Sequence, residues 1–520
     1  MTRVSAAAPA ALLAAFAALV CASALVDPDL WWHLAAGRDI LAGAGIPRVE
    51  AWSHTLRGAP WVDFEWLAQV LLAGVLRLGG FEALVHVKAA LCAAAVAGTF
   101  AAARREDSGL AGALLGSLLA LSAVRLRAHA RPELVSLVLL PLFLLAARAR
   151  CRGRFPLWPL AALSALWANM HGGWPLGPGV LLLCAAGRAW ETRSTRDPAA
   201  RALALTAAAC ALASLLNPYG LGLHRVFLEH VLHPPAQAGI EEWMTEGLRH
   251  FPAFWLLLVG VAARLPLDLL RNRRSALFWT AVLGPLALLG LSGARFAPLF
   301  CLSAPVFMFS GMGSLSVPPR TRGAMLLASA ALSVALLMPL KRRHWDRPVR
   351  WERTPREALA FLDREGLGGT LFNDYTFGGF VTWQSGGRRP VFQDGRYLFQ
   401  DLLVSSRGAE PEADYALAYF PPVSVPGEGG LPRSPNAGRF PKERWALVWS
   451  DDAAQVFLRR LPRYAETIAR LELRWADPGD PDFVAAQVRS GAVSREAALA
   501  ELARVPGAAA AALAALLAQG

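Results

Sequence analysis

The chain has 520 residues, 52 Lys plus Arg, 39 Asp plus Glu, and a formal charge of +13. Hydrophobic residues make 55% and charged residues 18%, where soluble domains run to about one-quarter charged, and the mean hydropathy is +0.37. These values exclude a soluble enzyme, a disordered chain and a fibre, and they fit a polytopic membrane protein. The basic residues fall between apolar segments rather than on one patch, so nucleic acid is not an expected partner. Six cysteines stand at 21, 92, 151, 184, 210 and 301 without a CxxC. Neither a disulfide framework nor a zinc site follows from that spacing.

The first apolar run, 8–26, ends at Asp27-Pro28-Asp29. That is no small-residue cleavage site, so the run is read as an uncleaved first helix rather than a signal peptide. A first outer loop follows, 27–80. It carries Asp27, Asp29, Asp63 and Glu65, with His33 and the tryptophans Trp31, Trp32, Trp52, Trp61 and Trp66. Tryptophan suits a membrane interface. Acids beside anionic lipid need a reason. Solvation of an ordinary loop is one. A site that takes a proton from a hydroxyl nucleophile, or helps hold a divalent cation such as Mg or Mn, is another. The apolar run 66–78 is read as an interfacial helix.

Further spans are expected near 81–103, 109–124, 132–147, 156–170, 174–190, 199–216, 251–264, 276–292, 296–312 and 323–340, about eleven helices in all. With the N-terminus inside, the inner connections hold Arg104 and Arg105, then Arg148, Arg150, Arg152 and Arg154. Arg188, Arg193 and Arg196 follow, then Arg264, Arg271, Arg273 and Arg274, and last Arg320 and Arg322. Each inner connection is basic, as the positive-inside bias requires. Two outer connections run against it. One holds Arg125, Arg127, His129 and Arg131; the other, 217–250, holds His224, Arg225, His230 and His233 with Glu241 and Glu242. These basic groups either snorkel at helix ends or hold an anion. Glu241-Glu242-Trp243 either anchors at the interface or shapes an acceptor side.

After Leu340 the composition changes, which divides a membrane domain, 1–343, from a soluble domain, 344–520. An odd number of spans places that tail outside the cytoplasm. The stretch 354–366 reads as an amphipathic helix with Thr354 as N-cap and Pro355 at its first position. The short runs 369–373, 378–383, 389–393, 445–450 and 454–460 read as strands. The stretch 404–441 reads as a long loop, and the Ala-rich end from Ser494 as helical. The tail is therefore expected to be a small α/β domain. No P-loop, HExxH or GxSxG occurs.

The acidic loop just after the first helix resembles that of the C-type glycosyltransferase superfamily, the GT-C fold. The stretches RLRAHARPELVSLVLL (125–140), LWANMHGGWPLG (166–177), SLLNPYGLGLH (214–224), IEEW (240–243) and ARFAPLF (294–300) resemble blocks of a bacterial branch of it. In the tail, LFNDYTFGGFVTWQ (371–384), RPVFQDGRYLF (389–399) and WALVWSDDAAQVFLRR (445–460) resemble the soluble domain of the same proteins. The resemblance implies an α-helical membrane enzyme with an extracytoplasmic α/β domain in the bacterial inner membrane. It implies transfer of a sugar from a polyprenyl-phosphate donor to an extracytoplasmic glycolipid, glycan or protein. Asp27 or Asp29 would match the family's acidic motif as general base, or as metal ligands if a divalent cation is used. Asp63 and Glu65 would form a second acidic pair on the acceptor side, with His33, Glu241 and Glu242. Arg295, His171 and Arg131, at expected outer helix ends, would stabilise the leaving phosphate.

Two other classes compete. A transporter or flippase of lipid-linked substrates needs polar groups at mid-membrane and repeated broken helices. Here the polar groups gather at outer ends and no repeat is visible. A non-catalytic assembly protein would use the tail to bind other envelope proteins and leave the acidic loop idle.

Overall fold

The computed structural model describes residues 7–153, 155–232, 243–271, 273–313, 318–338, 347–420, 425–426 and 432–519. The chain divides into two compact units, 1–25 with 62–348, and 26–61 with 349–520. The division departs from the expected one. Most of the first outer loop packs with the tail rather than with the membrane half.

The first unit is a helix bundle. Its elements begin with α1 (Ala7–Cys21), α3 (Trp66–Arg105), α4 (Gly109–Leu126), α5 (Glu133–Arg152), α6 (Trp158–Ala168) and α7 (Leu176–Thr192). They continue with α8 (Pro198–Ala213), α9 (Leu221–Leu232), α10 (Pro252–Arg271), α11 (Arg273–Ser292), α12 (Ala297–Met308) and α13 (Pro319–Leu337). Six of them, α3, α4, α5, α10, α11 and α13, are long and apolar enough to cross a membrane. Four expected spans coincide with shorter apolar helices, at Ala7–Cys21, Trp158–Ala168, Pro198–Ala213 and Ala294–Met308. The runs 66–78 and 81–103 belong to α3. Its helix is broken at Gly79 (φ −144°, ψ 18°) and Gly80 (φ 67°, ψ −165°), and the second of these is a left-handed conformation that glycine adopts without strain. The expected loop 217–250 contains α9 and a short 3-10 turn, Thr245–His250.

Local chemistry sets the helix ends. Asp197 accepts from the N–H groups of Ala199 and Ala200 at 2.9 and 3.0 Å, and Pro198 fills the first position of α8. Inside the bundle, α12 is the buried centre, with every residue from Ala297 to Phe307 shielded. Small residues let helices approach it. A Cβ at Gly116 would stand 2.7 Å from Pro305 Cβ, and one at Gly187 would stand 2.9 Å from the Phe278 carbonyl oxygen on α11. Thr99 donates across to the Leu302 carbonyl at 2.9 Å, and Ser164 to that of Cys210 at 3.0 Å.

The second unit is an α/β domain. Its sheet holds β1 (Leu371–Asn373), β2 (Tyr415–Tyr419), β5 (Trp445–Ser450) and β6 (Ala454–Arg459) in the order β1-β2-β6-β5. β1 runs parallel to β2, and the other pairs are antiparallel. A separate two-residue pair joins β3 (Val425–Pro426) to β4 (Pro432–Arg433). Phe372, Ala416, Phe440, Trp445 and Phe457 build the core on one face. The helices are α2 (Asp29–Asp39), α14 (Arg356–Arg364), α15 (Tyr375–Ser385), α16 (Gln400–Ser405), α17 (Pro435–Arg439), α18 (Ala465–Leu471), α19 (Pro481–Arg489), α20 (Arg495–Leu502) and α21 (Ala508–Gln519). The last three form their own apolar cluster.

Several expectations change here. The run 378–383 is helical, inside α15, because Gly378 must pass close to the 393–394 backbone, where a Cβ would meet the Gln393 carbonyl oxygen at 1.9 Å. The run 389–393 joins no sheet. Instead Val391 pairs with the first loop: its N–H donates to the Trp52 carbonyl at 3.0 Å, and the His54 N–H donates to its own carbonyl at 3.1 Å. The expected loop 404–441 contains β2, a central strand. Pro355 precedes α14, while the Thr354 hydroxyl donates back to the Trp351 carbonyl at 2.7 Å.

Candidate functional site

In the first unit, one end of the bundle gathers charge. α4 ends at Leu126 and α5 begins at Glu133, with Pro132 holding the turn. Arg127 grips the Glu133 carboxylate with two bonds, Nη2 to Oε2 at 2.7 Å and Nε to Oε1 at 3.1 Å. The side chains are 7% and 12% exposed, so the pair is largely desolvated. Arg131 and Arg295 also act on Glu133 electrostatically. Arg127 alone is bonded to Glu133, and the N-terminal dipole of α5 adds to the positive potential there. Arg295 lies in the turn between α11 and α12 and sits over the Trp243 ring at 3.9 Å.

His171, between α6 and α7, belongs to the same end. Its Nδ1 lies 2.7 Å from the Ser136 hydroxyl and accepts from the Gly173 N–H at 3.0 Å. Trp167 Nε1 donates to Ser136 Oγ at 2.8 Å, so the hydroxyl is oriented to donate to His171. With Nδ1 an acceptor twice over, the ring proton of the neutral form is assigned to Nε2. That nitrogen lies 3.9 Å from Glu65 Oε1. Burial pushes the His171 pKa down to about 4, against the pull of Glu133. Gly173 is obligatory: a Cβ there would lie 2.5 Å from Ser136 Oγ and 2.8 Å from His171 Nδ1.

The start of α3 completes this end. Gln69 donates to Asp63 Oδ1 at 2.7 Å. Trp66 Nε1 donates to Asn169 Oδ1 at 2.9 Å, and Asn169 Nδ2 donates to the Ala165 and Leu216 carbonyls, both at 2.8 Å. Asn169 therefore ties α3, α6 and the turn after α8 together.

The other acids lie in the second unit. Asp27 is 4% exposed, and its Oδ1 accepts from the Asp29 N–H at 2.8 Å at the start of α2. Asp29 lies against Gly395, where a Cβ would fall 1.8 Å from its Oδ1. His33 is buried inside α2, its ring 3.6 Å from that of Trp32 between centroids. Beneath this loop lies a buried triad. The Asp394–Arg396 pair is bidentate, and Glu50 joins it at 2.8 Å with every partner fully buried. Trp52, Trp61 and Phe399 surround the guanidinium at 4.7, 4.6 and 5.2 Å.

Of the residues expected to bind phosphate, Arg131, His171 and Arg295 thus share the end of the bundle built around Glu133, and Glu65 joins them. Asp27, Asp29 and His33 belong to the other unit. Glu241 and Glu242 lie outside the described residues. Glu133 and Ser136 had not been anticipated. The signal for Glu133 was a lone acid opening a helix after an arginine-rich turn. Among the described residues no three His, Cys, Asp or Glu side chains are grouped to hold a metal ion.

No family model and no curated protein matches the sequence. Among solved structures, the oligosaccharyltransferase of Archaeoglobus fulgidus in its apo form aligns with a TM-score of 0.52 at 11% identity, over 79% of this chain and 69% of that one. ArnT from Cupriavidus metallidurans, bound to undecaprenyl phosphate, aligns with a TM-score of 0.48 at 14% identity, over 87% of this chain and 96% of that one. The chain therefore shares its fold with that oligosaccharyltransferase, and its several apolar helices are those of a multi-pass membrane protein with a small C-terminal sheet.

Proposed function

We propose that this protein is an integral-membrane glycosyltransferase that moves a sugar from a polyprenyl-phosphate donor to an extracytoplasmic acceptor in the bacterial inner membrane. The observation that carries the reading is the group of Arg127, Arg131 and Arg295 about Glu133, with the Nε2–H of His171 at the same end. Guanidinium and imidazole donors of this kind stabilise the charge that develops on a leaving phosphate. The fold shared with an oligosaccharyltransferase supports the same class of chemistry.

In the transfer, the acceptor hydroxyl oxygen bonds to the anomeric carbon as the carbon–oxygen bond to phosphate breaks. The electron pair goes to the phosphate oxygen, and the configuration inverts. Arg295, Arg131 and His171 receive that developing charge. Asp27 or Asp29 takes the hydroxyl proton. Glu65 orients the His171 ring.

The test uses the full chain in nanodiscs with radiolabelled polyprenyl-phosphate sugars. Sugar transfer or release is expected in the wild type. Arg295→Met should slow it by about 10²–10³, the cost typical of losing one fixed donor to a developing oxyanion. One of Asp27→Asn and Asp29→Asn should abolish it while remaining folded. Absence of release and of donor binding with every donor would overturn the reading.

A further inference from the structure

The opposite end of α5 holds a second basic site that the transfer reaction does not use. Arg148 lies 15 residues beyond Glu133 on that helix, about 22 Å along its axis. A cavity of about 120 Å³ opens there. Arg105, Arg148, Arg152 and Glu106 line it, with apolar walls that include Leu145 and Val306. The charge is unbalanced: three guanidinium groups face one carboxylate.

The arginines are arranged rather than merely exposed. Glu106 is 5% exposed and takes both bonds of Arg148, Nε to Oε1 and Nη2 to Oε2, each at 2.8 Å. Arg148 is also held over the rings of Phe278 and Trp279 at 4.2 and 5.1 Å. Its guanidinium is therefore fixed at the cavity rather than snorkelling into water. Arg152 reaches Glu106 at 2.5 Å and also donates to the Arg105 carbonyl. The Arg105 guanidinium has no side-chain partner among the described residues and is exposed at the rim. One carboxylate thus orients two arginines, and a third stands by with its donors unspent.

We propose that this cavity binds the phosphate head group of an anionic membrane lipid. Guanidinium donors match phosphate oxygens, and the apolar walls suit the glyceride beginning of a lipid better than a fully hydrated ion. Basic pockets between helices are suited to such head groups. The site is distinct in place and partners from the one around Glu133, so it stands or falls apart from the transferase reading.

The experiment is native mass spectrometry of the full chain released from mixed phosphatidylglycerol–phosphatidylcholine nanodiscs. The wild type should retain phosphatidylglycerol in preference to phosphatidylcholine. Arg105→Gln, which removes no internal partner, should lower that retention roughly fivefold, and Arg152→Gln should lower it similarly. Arg495→Gln, the same charge change on an exposed arginine of α20, should leave retention unchanged. No lipid preference, or an equal loss in Arg105→Gln and Arg495→Gln, would overturn the proposal. In a second arm, inorganic phosphate is added in lipid-free detergent. Protection of the wild type but not Arg105→Gln against thermal unfolding, without retained phosphatidylglycerol, would assign the cavity to a soluble anion and overturn the lipid source.

Discussion

His171 and Glu133 owe their character to neighbours that a sequence does not place beside them. His171 is neutral because Gly173 and Ser136 both spend their donors on Nδ1 and because burial disfavours the imidazolium. Its folded pKa of about 4 lies below the ordinary 6.5. The sign follows from linkage. Above pH 6.5 neither state binds the proton, and stability is at its full value. Between pH 6.5 and 4 the unfolded chain is protonated and the folded one is not, so stability is lost as pH falls, by up to about 3 kcal/mol. His171→Asn lacks this titration. The Tm of the wild type should therefore fall toward that of the variant between pH 7 and pH 4, measured in one detergent. A constant difference across that range would contradict the buried neutral imidazole. The histidine itself was legible from the residues, as were Arg131 and Arg295, because each sits beside a helix end. Glu133 was not, since one acid after RLRAHARP carries no sign of the arginine that returns from the α11–α12 turn. In the second unit Asp394 and Arg396 pair across only two residues, whereas Glu50 arrives from 346 residues away, which no local pattern signals.

Apolar runs located the helices of the bundle well, since each run must satisfy its own backbone in lipid. They said less about which helices touch, and that information sits in small residues. Gly116 on α4 faces Pro305 and Phe309, whereas Gly284 on α11 has nothing within 4 Å of a built Cβ. The sequence presents both as a glycine in an Ala/Leu-rich helix. Gly116→Leu should overpack the contact with α12 and cost about 1–3 kcal/mol. Gly284→Leu should be near neutral or slightly stabilising, because it removes only the propensity penalty of glycine. Thermal unfolding of both variants in the same detergent separates packing from propensity; equal effects would mean that α4 and α12 do not meet there. In the second unit the same limit produced larger errors. Helix α15 reads as a strand because its aromatic and β-branched residues favour one, and tertiary packing on α2 and the 393–395 backbone overrides that preference. Strand β2 was hidden in a stretch whose flanks are rich in Pro and Gly, although YALAY itself is short and apolar.

For the whole molecule, the decisive quantity is the parity of membrane crossings, because it sets which side receives the tail. The arginine distribution argues for an N-terminus inside and a tail outside, provided that 66–78 does not cross. Helix geometry supports that condition. Thirteen residues extend about 20 Å, short of the ~30 Å of a hydrocarbon core, and the break at Gly79 and Gly80 separates them from 81–105, which extend about 37 Å. A single reporter decides the matter. Ser405 is exposed at the end of α16, whereas five of the six native cysteines are buried and Cys151 is half-buried. Ser405→Cys should react with a membrane-impermeant maleimide in cells whose outer membrane has been opened, while the unsubstituted protein should not react until the inner membrane is also breached. Cys151 provides the internal check, since the positive-inside bias expects the arginines beside it at an inner connection. Reaction at position 405 only after the inner membrane is breached would put the tail in the cytoplasm. An extracytoplasmic acceptor would then lose its basis, because Asp27 and Asp29 belong to the same compact unit as that tail.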